Sequence, residues 1–308
     1  MELSTGEHYH KNVVMLQTAR NCLEYVLLTK LYKKIYIPYY TCEVILEPLK
    51  RHNIEYQFYQ VNELMEPLKT VDLISREAFL YTNYFGVKSK TVEQLSKLYG
   101  KQLIVDNAQA FFSQPIDGID TFYSPRKFFG VADGGFLHTD KLSTDTFEKD
   151  LSFDRMLHLL KRIDCSAEAA FTDFQKNDGS LENMSIKSMS NLTESILRGI
   201  NYELVSKKRL ENFWFLHSAL KDKNQLPIDF TCGDMVPMVY PFWGKDEALR
   251  KKLIDNRIYV ATYWTNVFKW CTSDDLEYIL AKNIIPLPID QRYSIEDMQK
   301  IIQIILTT

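Results

Sequence analysis

Lys127 lies in the stretch Thr121 to Leu137, TFYSPRKFFGVADGGFL, among Phe122, Tyr123, Phe128 and Phe129. A lysine amine held in a partly dry pocket loses its proton more readily than in water, because burial disfavours the charged form. A neutral amine attacks an aldehyde and forms a Schiff base. The adjacent pair Gly134 and Gly135 follows, and glycine lets backbone approach closely or adopt dihedrals closed to other residues. Upstream, Asp106 comes directly after the apolar run Leu103, Ile104, Val105 and opens the segment DNAQA. An acid at the carboxyl end of a strand stands where open α/β sheets bind their ligands, although the same residue type also serves as a helix cap.

These residues need elements to position them. ARNCLEYVLLTKLY, residues 19–32, carries Leu23, Val26, Leu27 and Leu31 at helical spacing. KKIYIPYYT reads as a strand, with Pro38 marking an end or an edge. EVILEPLKRHN reads as a helix, IEYQFYQV as a strand, and EAFLYTNYFG as a strand ending at Gly86. TVEQLSKLYG is a helix stopped by Gly100, and KQLIVD a short strand. Strands alternating with helices of about ten residues indicate βαβ units and a mostly parallel sheet. The sequence therefore predicts an α/β large domain over residues 1–200, with 140–200 as a helical insertion or bridge. A smaller α+β domain follows over 201–308. Within it YELVSKKRLENFWFLHSAL, DEALRKKLIDN, SDDLEYILAK and SIEDMQKIIQII read as helices, MVPMVYPFW and RIYVATYW as strands, and the earlier NDGSLENMS as a loop.

The bulk properties narrow the function classes. A chain of 308 residues is long for one core. Its 45% hydrophobic and 25% charged residues are ordinary for a globular protein. A net charge of −3 without a basic cluster argues against nucleic acid as a partner. No apolar run reaches membrane-spanning length, and MELSTGEHYHKN lacks a signal-peptide layout. Five scattered cysteines with no C-x-x-C suggest reduced thiols in a cytoplasm, and neither a disulfide framework nor a zinc site. No G-x-G-x-x-G follows the first strand, so a nicotinamide-binding enzyme lacks support.

Taken together, Asp106-Asn107-Ala108-Gln109 and Lys127 with Asp133-Gly134-Gly135 resemble motifs of the DegT/DnrJ/EryC1/StrS sugar aminotransferases, within the pyridoxal-phosphate-dependent fold type I superfamily. The resemblance runs over nearly the whole chain and is strongest from 103 to 137. It implies a fold type I large domain and a smaller C-terminal domain. It also implies that Lys127 is the catalytic lysine, joined to pyridoxal 5′-phosphate as a Schiff base. Asp106 would pair with the ring nitrogen and Gln109 would lie near the ring hydroxyl. The family's phosphate-binding Gly-Thr is replaced by Ala19-Arg20, which places the phosphate at the amide end of a helix, with the Arg20 guanidinium as a direct ligand. The family's serine five residues before the lysine is Phe122 here, so either Ser124 or Thr121 takes its place. The ring-stacking aromatic aligns with Cys42, so either Cys42 or Tyr40 lies against the ring. The family's cross-subunit Asn-Tyr-Arg-Met is altered to Ile186-Lys187-Ser188-Met189, and Asp290 stands where His is common.

The activity so implied is transfer of an amino group from an amino acid such as glutamate to a nucleotide-linked keto sugar. It would serve nucleotide-sugar or polysaccharide biosynthesis, in a cytoplasmic homodimer. The alternatives are a pyridoxal-phosphate enzyme that no longer transaminates and a relative that keeps the fold as a binding module. In dehydratase relatives the lysine is replaced by His, whereas position 127 is Lys.

Overall fold

The computed structural model of the chain describes residues 6–227 and 235–307; Cys232 and the first five residues of the N-terminal segment lie outside them. The chain order is β1 (Val14–Leu16), α1 (Ala19–Lys30), β2 (Lys34–Pro38), α2 (Leu46–Arg51), β3 (Glu55–Tyr59), β4 (Glu77–Thr82), α3 (Ser89–Tyr99), β5 (Leu103–Asn107), β6 (Asp120–Tyr123) and β7 (Gly135–His138). The strands form one seven-stranded sheet in the order β1-β7-β6-β5-β4-β2-β3. Pairing is parallel from β3 to β6, while β7 and β1 are antiparallel additions at one edge.

Alternation along the strands sorts their side chains to two faces. Ile35, Ile37, Leu80, Ile104, Phe122 and Leu137 pack with Leu23, Val26 and Leu27 of α1. Tyr36, Phe79, Tyr81, Leu103, Val105, Tyr123 and Phe136 face the other way, into the core shared with α3 and the C-terminal elements. Asp106, two residues past Ile104, therefore falls on the α1 face.

The chain continues with α4 (Leu157–Asp164), α5 (Ala167–Ser180), α6 (Asn191–Arg198), α7 (Tyr202–Leu220), β8 (Val239–Phe242), α8 (Leu249–Asp255), α9 (Val267–Trp270), α10 (Leu276–Asn283), β9 (Ile285–Pro288) and α11 (Ile295–Leu306). β8 and β9 form a two-stranded antiparallel sheet. Asn212 of α7 donates to the Ile289 carbonyl at 3.2 Å and to the Tyr293 carbonyl at 3.1 Å, which ties α7 to the turn after β9.

Three local expectations change. RIYVATYW forms no strand; Tyr263 and Trp264 sit in irregular chain, where Trp264 packs edge-on against Tyr40 at 4.9 Å and Tyr263 lies against Phe85. Residues 177–180 of NDGSLENMS are the last turn of α5, held by Asn177 donating to the Ala132 carbonyl at 3.0 Å. β4 stops at Thr82, and Gly86 closes a separate 3-10 turn, Tyr84–Gly86, in which Phe85 has φ 56°. Pro38 ends β2, one of the two expected placements, and β2 is interior, between β4 and β3.

The glycine pair locks the sheet onto the start of α1. Gly134 has φ +129° and donates its amide to the Gln17 carbonyl at 2.5 Å. A Cβ on Gly135 would stand 2.5 Å from both the carbonyl carbon and oxygen of Thr18, so only glycine allows this approach. Thr18 is the N-cap of α1, its hydroxyl accepting from the Asn21 amide at 3.1 Å. Asp133, fully buried, accepts from the Ser190 amide at 2.8 Å, from the Ser190 hydroxyl at 2.7 Å and from the Thr193 hydroxyl, which fastens the same strand to the first turn of α6.

Candidate active site

β5 delivers Asp106 and β6 leads to Lys127. In the parallel pair of these strands Asp106 stands opposite Phe122. The chain then leaves the sheet at Ser124 and makes a single 3-10 turn, Pro125–Lys127, with the Phe128 and Phe129 amides both donating to the Pro125 carbonyl at 2.9 Å. Lys127 is exposed and Asp106 is 8% exposed. The Asp106 carboxylate accepts from the Ala108 amide at 2.8 Å. Burial raises the Asp106 carboxyl above its ordinary value, and the Lys127 ammonium followed by the Ala108 amide oppose that rise. The carboxylate and the amine therefore lie within electrostatic reach of each other.

Cys42 belongs to the same cluster. Burial raises its thiol pKa; the Lys127 ammonium is the largest opposing influence, while Asp106 adds to the rise and Arg20 opposes it. Four sequence-selected residues from four segments, Arg20, Cys42, Asp106 and Lys127, thus converge on the α1 face of the sheet. Ala19 is the first residue of α1, at the end where helix amides lack intrahelical partners.

The residues offered as alternatives for the ring and the phosphate differ in their surroundings. Tyr40, 1% exposed, is stacked on Tyr84 at 5.4 Å within the opposite core, whereas the Lys127 charge acts on Cys42. Thr121 donates its hydroxyl to the Ile119 carbonyl at 3.2 Å, whereas Ser124 stands directly before the lysine turn and does not cap it. Gln109 accepts from the Phe85 amide at 2.8 Å through Oε1, and its buried Nε2 has no protein acceptor.

Arg20 is not free. Its guanidinium is ion-paired with Glu47, whose other oxygen accepts from the Asn183 amide at 2.9 Å. Arg126, beside the lysine, escaped the sequence reading. It pairs with Asp178 of α5 at 3.0 Å; burial lowers its pKa, Asp178 opposes this, and the nearby Arg20 charge adds to the lowering. Its adjacency to Lys127 was the available signal, but a partner 52 residues away is invisible to local spacing. Ile186 to Met189 runs beside β1 of its own chain: Lys187 accepts from the Gln17 amide at 2.9 Å, and Met189 is fully buried. Asp290 is held by Arg292 in a two-pronged pair at 2.6 and 2.8 Å. Among the described residues no group of three or more His, Cys, Asp or Glu side chains could hold a metal ion.

The seven-stranded sheet, its crossover helices and the C-terminal elements together form a fold shared with several solved aminotransferases. Among solved structures, the DegT DnrJ EryC1 StrS aminotransferase from Brucella abortus is 15% identical, with a TM-score of 0.63 over 98% of this chain and 86% of that one. The sugar aminotransferase CalS13 from Micromonospora echinospora is 15% identical, with a TM-score of 0.62 over 96% and 87%. NtdA from Bacillus subtilis, solved with bound cofactor PMP, is 13% identical, with a TM-score of 0.66 over 96% of this chain and 72% of that one. At such identities the likeness establishes the fold. No family model matches the sequence, and no curated protein matches it.

Proposed function

We propose that the chain is a pyridoxal-phosphate-dependent aminotransferase that moves an amino group from glutamate or a similar amino acid to a nucleotide-linked keto sugar. The observation that carries this reading is the convergence of the Lys127 amine and the buried Asp106 carboxylate, which belong to different strand ends. The residues present fit the cofactor. Asp106 would hold a proton on the ring nitrogen, and the buried Nε2 of Gln109, which has no protein acceptor, would be free to donate to the ring hydroxyl. The amide end of α1, Ser124 and the guanidinium groups of Arg20 and Arg126 take the phosphate. When bound, the cofactor supplies an electron sink for the bond broken at the donor's α-carbon. Lys127 Nζ would hold the cofactor and would take the proton from that α-carbon.

The test is a half-reaction. The purified protein is expected to take up pyridoxal phosphate with a change in visible absorbance, then to lose that band and release 2-oxoglutarate on addition of glutamate. Absence of cofactor binding at saturating pyridoxal phosphate overturns the reading. A second reading, a binding module on the same fold, is favoured by the Arg20–Glu47 pair, which already neutralises one phosphate ligand. It is supported instead if the cofactor binds and no amino donor changes the spectrum.

The same reading includes a cytoplasmic homodimer. Leu151, Phe153, Leu160, Ile163 and Phe171 are 55–81% exposed on α4, α5 and the segment before them, apolar side chains that a second copy would cover. This hairpin touches the lysine loop through Arg126–Asp178 and Asn177–Ala132, so a second copy covering it would also wall the site. Sedimentation at micromolar concentration is expected to give twice the chain mass of 36.1 kDa; a monomer at that concentration refutes the dimer.

A further inference from the structure

The turn after β9 reaches the residue next to Lys127. Gln291 Nε2 donates to the Phe128 carbonyl at 2.8 Å, and Gln291 Oε1 accepts from Arg209 Nε at 3.1 Å. Arg209, on α7, is 1% exposed, and its guanidinium carbon lies 4.5 Å from the centroid of the Phe128 ring. Its Nη1 donates to the Met238 carbonyl at 3.0 Å and to the Pro237 carbonyl at 3.4 Å. Both the carbonyl and the ring of Phe128 are thus gripped from the C-terminal part of the chain, while the Phe128 amide is held by Pro125.

An arginine at such burial is costly unless its donors are satisfied, and here burial pushes its pKa down to about 10. Asp290 and Tyr263 oppose that fall, and Arg292 adds to it. The arrangement places a charged, hydrogen-bonded support under one short turn. That turn ends in an exposed lysine whose long side chain has no rigidity of its own.

We propose that Gln291 is a positioning residue: by holding the Phe128 carbonyl it fixes the direction in which Lys127 leaves the backbone, and so couples the turn after β9 to the amine. This rests on Lys127 being the reactive residue. It makes any shift of α7 and the 290–293 turn against the sheet a shift of the lysine as well. The coupling runs through a donor, which separates it from simple packing. Gln291→Ala removes both hydrogen bonds. Gln291→Glu keeps an acceptor for Arg209, now charged, but cannot donate to Phe128 when ionised.

The experiment is amide hydrogen exchange on the full chain without cofactor, comparing the natural protein with Gln291→Ala and Gln291→Glu. Both variants are expected to exchange roughly five- to tenfold faster at Phe128 and Phe129, with the amides of β5 unchanged. After loading with pyridoxal phosphate, both should show a displaced pH midpoint for the absorbance of the bound cofactor. Wild-type exchange and midpoint in Gln291→Glu overturn the proposal, because support of Arg209 then suffices. Unchanged exchange in both variants overturns it too, as does failure of either variant to fold, which makes the link a general support of the fold. Faster exchange in a protein that binds no pyridoxal phosphate overturns the functional reading and keeps the structural link.

Discussion

Lys127→Ala is expected to lower amino transfer by roughly a thousandfold or more. Two proposed roles would be lost together: the amine that would hold the cofactor, and the base that would take the proton from the donor's α-carbon. Positioned acid–base catalysis alone is worth about 10²–10⁴-fold. The position is exposed and ends a one-turn helix, so truncation to alanine leaves the fold intact. Release of 2-oxoglutarate from glutamate measures the loss. Borohydride reduction of the cofactor-loaded natural protein should fix the cofactor on the peptide containing Lys127, and should label nothing in the variant. Partial recovery with a small added amine would separate lost chemistry from lost structure. Transfer within tenfold of the natural rate in Lys127→Ala excludes this lysine from the reaction.

Asp106→Asn is expected to separate stability from activity. Burial raises the folded-state pKa of Asp106 above its ordinary 3.8. Stability from such a group is fully present below the unfolded value and is lost as pH rises through the folded one. Above that folded-state value the cofactor-free protein therefore carries an ionised carboxylate that weakens it. Asparagine keeps an oxygen for the Ala108 amide and carries no charge. The variant should melt at a higher temperature than the natural protein at pH 7, with the difference vanishing as pH falls below 3.8. Transfer should fall on the order of 10²–10³-fold, the usual scale for losing one preorganised electrostatic partner. Thermal melts across pH and the glutamate half-reaction measure the two effects. A variant less stable at pH 7 than the natural protein would mean that the Lys127 ammonium outweighs burial.

Much of this was legible in the sequence, for identifiable reasons. The βα alternation showed because each strand is short and apolar and each helix carries its own periodic face; YELVSKKRLENFWFLHSAL spans Tyr202–Leu220 as a single helix. Asp106 stood out because it ends a short apolar strand, and Lys127 because aromatic residues flank it and Asp133-Gly134-Gly135 follows at the offset the resemblance rests on. What failed was whatever depended on partners. RIYVATYW has the composition of a strand, but its aromatic residues pack into the core beside Tyr40 and Phe85 without a ladder. The pairing of Arg20 was likewise invisible, because Glu47 lies 27 residues on. Gln291 and Arg209 gave no signal, because a glutamine in a turn and an arginine mid-helix are ordinary until the fold sets them against Phe128.

The pairing of Arg20 with Glu47 and of Arg126 with Asp178 has a consequence for capture of a dianionic ligand. Each guanidinium near the lysine arrives with a carboxylate, so the local charges nearly cancel, and little field extends into solvent to steer a phosphate inward. Encounter would then be slow and weakly sensitive to salt, and long residence would come from the covalent bond at position 127.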